Sequence, residues 1–142
     1  MAHQRQNIRH AAQAQLLGAT AAQDRVLRMK RTPWKTNQLP GISVYTLEES
    51  VDQARTLPRE LDRTVQLKIE GALALADDID DALDALALEI ENAVHADPTF
   101  GETAEDSYLA ATDIVIDATA EQPVGSVVLT YNVRYYTPAV PA

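Results

Sequence analysis

Cysteine is absent from this 142-residue chain, and that one absence removes disulfides, thiolate zinc sites and a cysteine nucleophile together. It suits a reducing compartment. Glycine is scarce: Gly18, Gly41, Gly71, Gly101 and Gly125 never cluster, so neither a P-loop nor a dinucleotide-binding turn exists. No apolar run approaches the roughly 18 residues of a membrane span, and no membrane partner is expected. The start, Met1 to His10, is polar and mildly basic, without the apolar segment of a secretory leader. The three histidines, His3, His10 and His95, are far apart in the chain and lack metal-site spacing, so they read as unrelated surface residues. A single soluble domain over residues 1–142 is expected, since a chain of this length buries roughly 70% of the surface its unfolded form exposes.

Charge is present but unevenly placed. The first 35 residues carry seven Lys/Arg against one acid, a net of +6, and the remaining 107 carry five against twenty, a net of −15. If the two segments fold apart, the molecule presents opposite charge on two sides, which favours head-to-tail association or two different partners. The acidity after residue 35 argues against nucleic-acid binding by that region, because phosphates are repelled there.

Hydrophobic spacing predicts an α+β domain. Ile8, Ala12, Leu16 and Ala19 mark a helix over about residues 4–20. Asp24 to Arg31 reads as a short basic strand ending at Thr32-Pro33, followed by a loop to Leu39-Pro40 and a strand from Gly41 to Leu47. The charged stretch Glu48 to Glu60, broken by Pro58, reads as an irregular or mobile connection. Val65, Leu67 and Ile69 alternate with polar neighbours as in a half-buried strand. Ile79, Leu83, Leu86, Ile90 and Val94 form one apolar helical stripe ending near Asp97-Pro98. Two strands follow, Thr112 to Asp117 and Val127 to Tyr135, joined by a hairpin-like connection at Pro123-Val124-Gly125. The order is α-β-β-β-α-β-β: a mixed, mostly antiparallel sheet of about five strands packed with two main helices. The tail 137–142 is expected to be extended or mobile.

Several clusters invite a functional reading. Asp77, Asp78, Asp80, Asp81 and Asp84 crowd the start of the second helix, but the calcium-loop pattern fails, with Ala82 at the fifth position and Leu83 where the turn needs glycine. Acids in a first turn favour the helix dipole by roughly 0.3 to 1 kcal/mol each, and repulsion at i,i+3 and i,i+4 offsets this. The net effect is a negative patch, suited to a channel through which DNA slides without sticking. Gly41-Ile42-Ser43-Val44-Tyr45 lacks the final glycine of a nucleophile elbow, and nothing else points to a catalytic residue, a cofactor or a metal. Arg25, Arg28, Lys30, Arg31 and Lys35 around Trp34 form a candidate contact for an acidic partner. Trp34 is either an interface anchor or a lid folded back over the core.

The segment Arg25 to Thr46, with its basic strand, its Pro33-Trp34 loop and then Leu39-Pro40-Gly41-Ile42-Ser43-Val44-Tyr45-Thr46, resembles the opening of the small tail terminator proteins of long-tailed bacteriophages, siphovirus-like and myovirus-like. In that family an apolar residue, a proline, a small residue, isoleucine, any residue, valine and tyrosine precede an acidic connection. The likeness continues through the strand ending at Ile69-Glu70, the helix with Leu83-Asp84-Ala85-Leu86-Ala87 and Glu89-Ile90-Glu91, then Asp97-Pro98-Thr99 and the strand Tyr131-Asn132-Val133-Arg134-Tyr135. It spans residues 5 to 137 and rests on the order and spacing of these blocks.

The resemblance implies a non-enzymatic virion protein, made in the host cytoplasm. It would form a hexameric ring of its own copies on the head-proximal end of the tail tube, stop tube polymerisation and join the head-completion or neck protein, with DNA as passing cargo. A ring subunit needs two unlike, complementary lateral surfaces and two unlike axial faces. Another neck or tail component, such as a head-tail stopper, connector or tube protein, is the near alternative. A small cytoplasmic anion-binding module or enzyme is the distant one, because basic residues beside a tryptophan hold phosphate or carboxylate. That would need a pocket closed within one subunit, whereas assembly needs a flat, exposed surface.

Overall fold

Two helices lie on one face of a five-stranded sheet, in the order the sequence predicts. The computed structural model describes residues 3–29, 33–56, 59–119 and 121–138. The elements are α1 (Gln4–Leu16), β1 (Val26–Leu27), a 3₁₀ turn (Thr36–Gln38), β2 (Gly41–Thr56), β3 (Arg59–Ala74), α2 (Ile79–His95), β4 (Asp106–Asp117) and β5 (Val124–Pro138). The sheet order is β1-β2-β3-β5-β4; β1 runs parallel to β2 and every other pair is antiparallel.

The core sits between the helices and alternate residues of the three central strands. Val65, Leu67 and Ile69 of β3 meet Ile42 and Val44 of β2 and Val127, Leu129, Tyr131, Val133 and Tyr135 of β5. Onto these pack Ile8, Ala12 and Leu16 of α1 and Leu83, Leu86, Ile90 and Val94 of α2. Each large aliphatic side chain buried this way stabilises by roughly 1.5–3 kcal/mol. Gly71 sets the spacing of α2 on the sheet: a Cβ there would stand 2.7 Å from Leu86 Cδ2 and 3.3 Å from Ile90 Cδ1.

Boundaries differ from the sequence expectation where local chemistry or an edge position hides them. α1 ends at Leu16 rather than near residue 20, because Leu17 leaves helical geometry (ψ 124°) and Gly18 takes a left-handed φ of 73°, the usual way of closing a helix C-terminus. Gly18 N–H then donates to Gln23 O at 2.8 Å. β1 is two residues long rather than reaching Arg31; Arg28 and Met29 lie in a bend, and Lys30, Arg31 and Thr32 fall outside the described residues.

The stretch expected to be irregular, Glu48 to Glu60, is instead the outer half of a long hairpin. Glu49 through Thr56 pair with Val65 back to Arg59, with register shifts at Thr46/Glu49 and Gln53/Arg55. Leu57 and Pro58, between the strands, are not among the described residues. Backbone ladder bonds need no apolar alternation, and none of the described residues from Glu49 to Thr64 joins the apolar core, so the sequence of the arm carries charge instead. β4 starts six residues before Thr112 because it is an edge strand with no buried side chain, so alternation does not mark its start. β5 begins at Val124, which removes Val124 and Gly125 from the connection, and it keeps Thr137 and Pro138, paired with Leu61 and Glu60. Those two residues are therefore strand rather than tail, and 139–142 lie outside the described residues.

Candidate interaction surface

The sheet topology separates the residues singled out in the sequence onto different sides of the molecule. Arg25 and Arg28 flank β1 at one edge of the sheet. Arg25 is half-buried and its Nε donates to Pro40 O at 2.6 Å, so it pins the turn after α1 to the start of β2. Arg28 and Lys35 are exposed. Trp34 is not exposed with them. Its ring keeps 5% of its surface and packs on Ala72, Val124 and Leu39, and its indole N–H donates to Glu70 Oε2 at 3.2 Å. Of the two readings the sequence leaves open, the lid describes this ring, which covers one end of the sheet face opposite the helices.

Glu70, 7% exposed, also lies 3.4 Å from the Tyr45 hydroxyl. Burial, reinforced by that carboxylate, pushes the Tyr45 phenol up to about 12. Ser43, in the glycine-to-tyrosine segment, is fully buried in β2 and its hydroxyl donates to Met29 O, which is a strand contact rather than an exposed elbow.

Asp77, Asp78, Asp80, Asp81 and Asp84 are all exposed. Asp78 occupies the N-cap of α2 without a side-chain bond to the helix, while Asp80 and Asp81 lie in the first turn. Because α2 starts shortly after Ala74, the last residue of β3, the patch sits at the end of the sheet where β3 finishes. The β2–β3 hairpin arm points to the other end. Among the described residues, no group of three or more His, Asp or Glu is arranged to hold a metal ion. His3 caps α1, its Nδ1 accepting from Arg5 N–H at 3.1 Å; His10 and His95 are exposed on separate helices.

Two features escape periodicity. One is a half-buried ionic junction. Glu49 of β2 accepts from Arg5 of α1 at 2.7 Å, from Arg63 of β3 at 2.8 Å and from the Tyr135 hydroxyl of β5. Burial pushes the Glu49 carboxyl up, but the Tyr135, Arg63 and Arg5 donors outweigh it and hold it below the usual range. Burial and the same carboxylate raise Tyr135 to about 12. The basic N-terminal segment thus spends part of its charge on an ion pair within the subunit, at Arg5.

The other is β4. Tyr108, Leu109, Ile114, Val115 and Ile116 are all exposed, Val115 by 52% and Ile114 by 51%. The signal in the sequence is Val115, whose apolar side chain breaks the alternation of Ile114 and Ile116 with Asp113 and Asp117. An edge strand with apolar side chains on both faces and an open row of backbone groups is a site for another chain. Beside it, Leu88, Glu91, Asn92, His95, Tyr108 and Leu109 line an open groove of about 480 Å³ between α2 and β4. Next to β4, the helix-free sheet face is polar: Lys68 donates to Thr130 at 2.7 Å, Asn132 to the Tyr108 hydroxyl at 3.0 Å, and Arg134 makes a bidentate pair with Asp62.

The chain matches no protein-family model and no curated protein at a significant level. None of the helices among the described residues is long and apolar enough to cross a membrane.

Proposed function

We propose that this chain is a non-enzymatic structural subunit of a phage virion, a tail terminator that closes as a ring on the head-proximal end of the tail tube. The observation that carries the reading is β4. The core between helices and sheet is filled without it, yet it keeps Leu109, Ile114, Val115 and Ile116 in water. Leaving that much apolar side chain exposed lowers the solubility of an isolated subunit, and covering it with a neighbour is favourable.

The two ends of the sheet supply unlike axial faces. One carries the five exposed aspartates at the start of α2, and the other carries the hairpin arm. A subunit whose one axial face fits the tube and whose other does not will stop elongation, because the next tube ring gains no contact energy. Its partners are then other copies of itself, the tail tube protein and a head-completion or neck protein. The aspartate patch repels the phosphates of DNA passing to or from the head.

The test is to polymerise the matching tail tube protein with increasing amounts of this chain and to measure tube lengths by electron microscopy, with light scattering across salt. Shorter, singly capped tubes and salt-sensitive end binding are expected. Tubes of unchanged length, from a chain that instead binds a small anion in a closed site, would refute the proposal.

A further inference from the structure

The charge asymmetry of the sequence and the exposed edge strand meet in one geometric relation. β1 and β4 are the two outermost strands of the sheet. The pairing registers place Val26 of β1 beside Ile42, Ile42 beside Gly71, Gly71 beside Val127 and Val127 beside Ile114 of β4. One row thus crosses the whole sheet from Val26 to Ile114, and the next joins Leu27 to Asp113 through Ser43, Glu70 and Val128. The basic edge and the acidic, apolar edge therefore stand at the same height on opposite sides of the subunit.

We propose that the Asp113 to Asp117 segment of β4 docks on the Arg25 to Met29 edge of a second copy of this chain, and that repeating this contact closes the ring. The inference rests on the ring reading above and adds which two surfaces meet. A shared row lets one edge meet the other with little shift along a ring axis, and a ring needs such a contact to close rather than climb as a helix. Rotation about that axis keeps the sense of each strand along it. Since β1 and β4 run in opposite senses across the sheet, the joined edges run in opposite senses as well.

Charge selects this occupant over the alternative. β4 carries Asp106, Asp113 and Asp117 and no basic residue, so a β4-to-β4 dimer sets carboxylates against carboxylates. The β1 edge offers exposed Arg28, together with Arg25, whose Nε is held on Pro40 O, against one exposed acid, Asp24; Met29, 54% exposed, and half-buried Leu27 beside them face Ile114, Val115 and Ile116. Val26 O already accepts from Gln13 Nε2 at 2.7 Å. Side chains therefore carry this contact, and the backbone ladder adds little.

Charge reversal tests the pairing. Asp113 and Arg28 are both exposed, so circular dichroism should report an unchanged fold in each variant. Asp113→Lys and Arg28→Glu are each expected to weaken self-association about tenfold, and the double variant to recover to within about threefold of the parent. Association is read by light scattering on concentrated protein and on tube ends. Losses that merely add in the double variant, or a single variant with undiminished association, overturn the proposal. So does Asp113→Cys if it oxidises to disulfide-linked dimers much faster than an Arg28→Cys control in this cysteine-free chain, which would mean β4 pairs with itself. Rings that follow the charge-reversal pattern but leave tube length unchanged would refute the terminator reading and keep the edge contact. Capped tubes without that pattern would do the opposite.

Discussion

Replacing Glu49 with glutamine removes one charge at the only point where α1, β2, β3 and β5 are tied by a single described side chain. The carboxylate accepts from Arg5 at 2.7 Å, from Arg63 at 2.8 Å and from the Tyr135 hydroxyl, and it keeps 11% of its side-chain surface. Taking away one partner of a fully buried ion pair costs about 3–5 kcal/mol. Arg5 and Arg63 keep 33% and 19% of theirs, so water screens part of the interaction, and about 2–3 kcal/mol is expected for Glu49→Gln. For a chain of this size that lowers Tm by roughly 6–9 °C. The folded carboxyl is held below its ordinary value of 4.5, so the unfolded chain takes up the proton first as pH falls. Glu49's contribution is therefore complete above that ordinary value and fades as pH drops through the folded pKa. Urea melts followed by circular dichroism should show a constant gap between parent and variant from about pH 7 to about pH 5.5, narrowing at lower pH. A gap under about 0.5 kcal/mol at neutral pH, or one that widens on acidification, would refute the reasoning.

Other consequences follow from the same packing. Gly71→Ala drives a Cβ to 2.7 Å from Leu86 Cδ2 in the closed layer between α2 and the sheet, and thermal melts should show a loss of about 1–3 kcal/mol. Trp34→Phe strips the buried Glu70 carboxylate of its indole donor, with an expected cost of about 1–3 kcal/mol in the same assay. As the only tryptophan in the chain, Trp34 should emit in the blue and resist acrylamide quenching until the protein unfolds; free quenching of the native state would contradict its burial. Millimolar Ca²⁺ should move Tm by less than about 1 °C, since the five aspartates at the start of α2 form no ligand cage, whereas a cation bound well below that concentration would raise it by several degrees.

The most legible elements in the sequence were those that bury one face. β3 and α2 announce themselves because a side chain facing the core must be apolar at every second residue of a strand, or every third or fourth of a helix. Elements that bury nothing leave no such trace. The outer arm of the β2–β3 hairpin reads as a charged connection, and the first half of β4 reads as loop, because both are held by backbone bonds and neighbouring strands. Among the candidate site residues, Trp34 was undecidable locally. Only the fold brings Glu70 of β3 under its indole, 36 residues away. Glu49 looked like one acid among many until Arg5, Arg63 and Tyr135 converged on it.

The sequence by itself determined the α+β class, the order of elements, the core stripes and the separation of basic from acidic segments, since all of these depend on residue type and short-range period. Tertiary structure alone decided that β1 and β4 are opposite edges, that Val26 and Ile114 share a row, and that Val115 and its neighbours stay in water. Strand order and register arise from long-range pairing, and a linear pattern does not encode which strand is left at the rim.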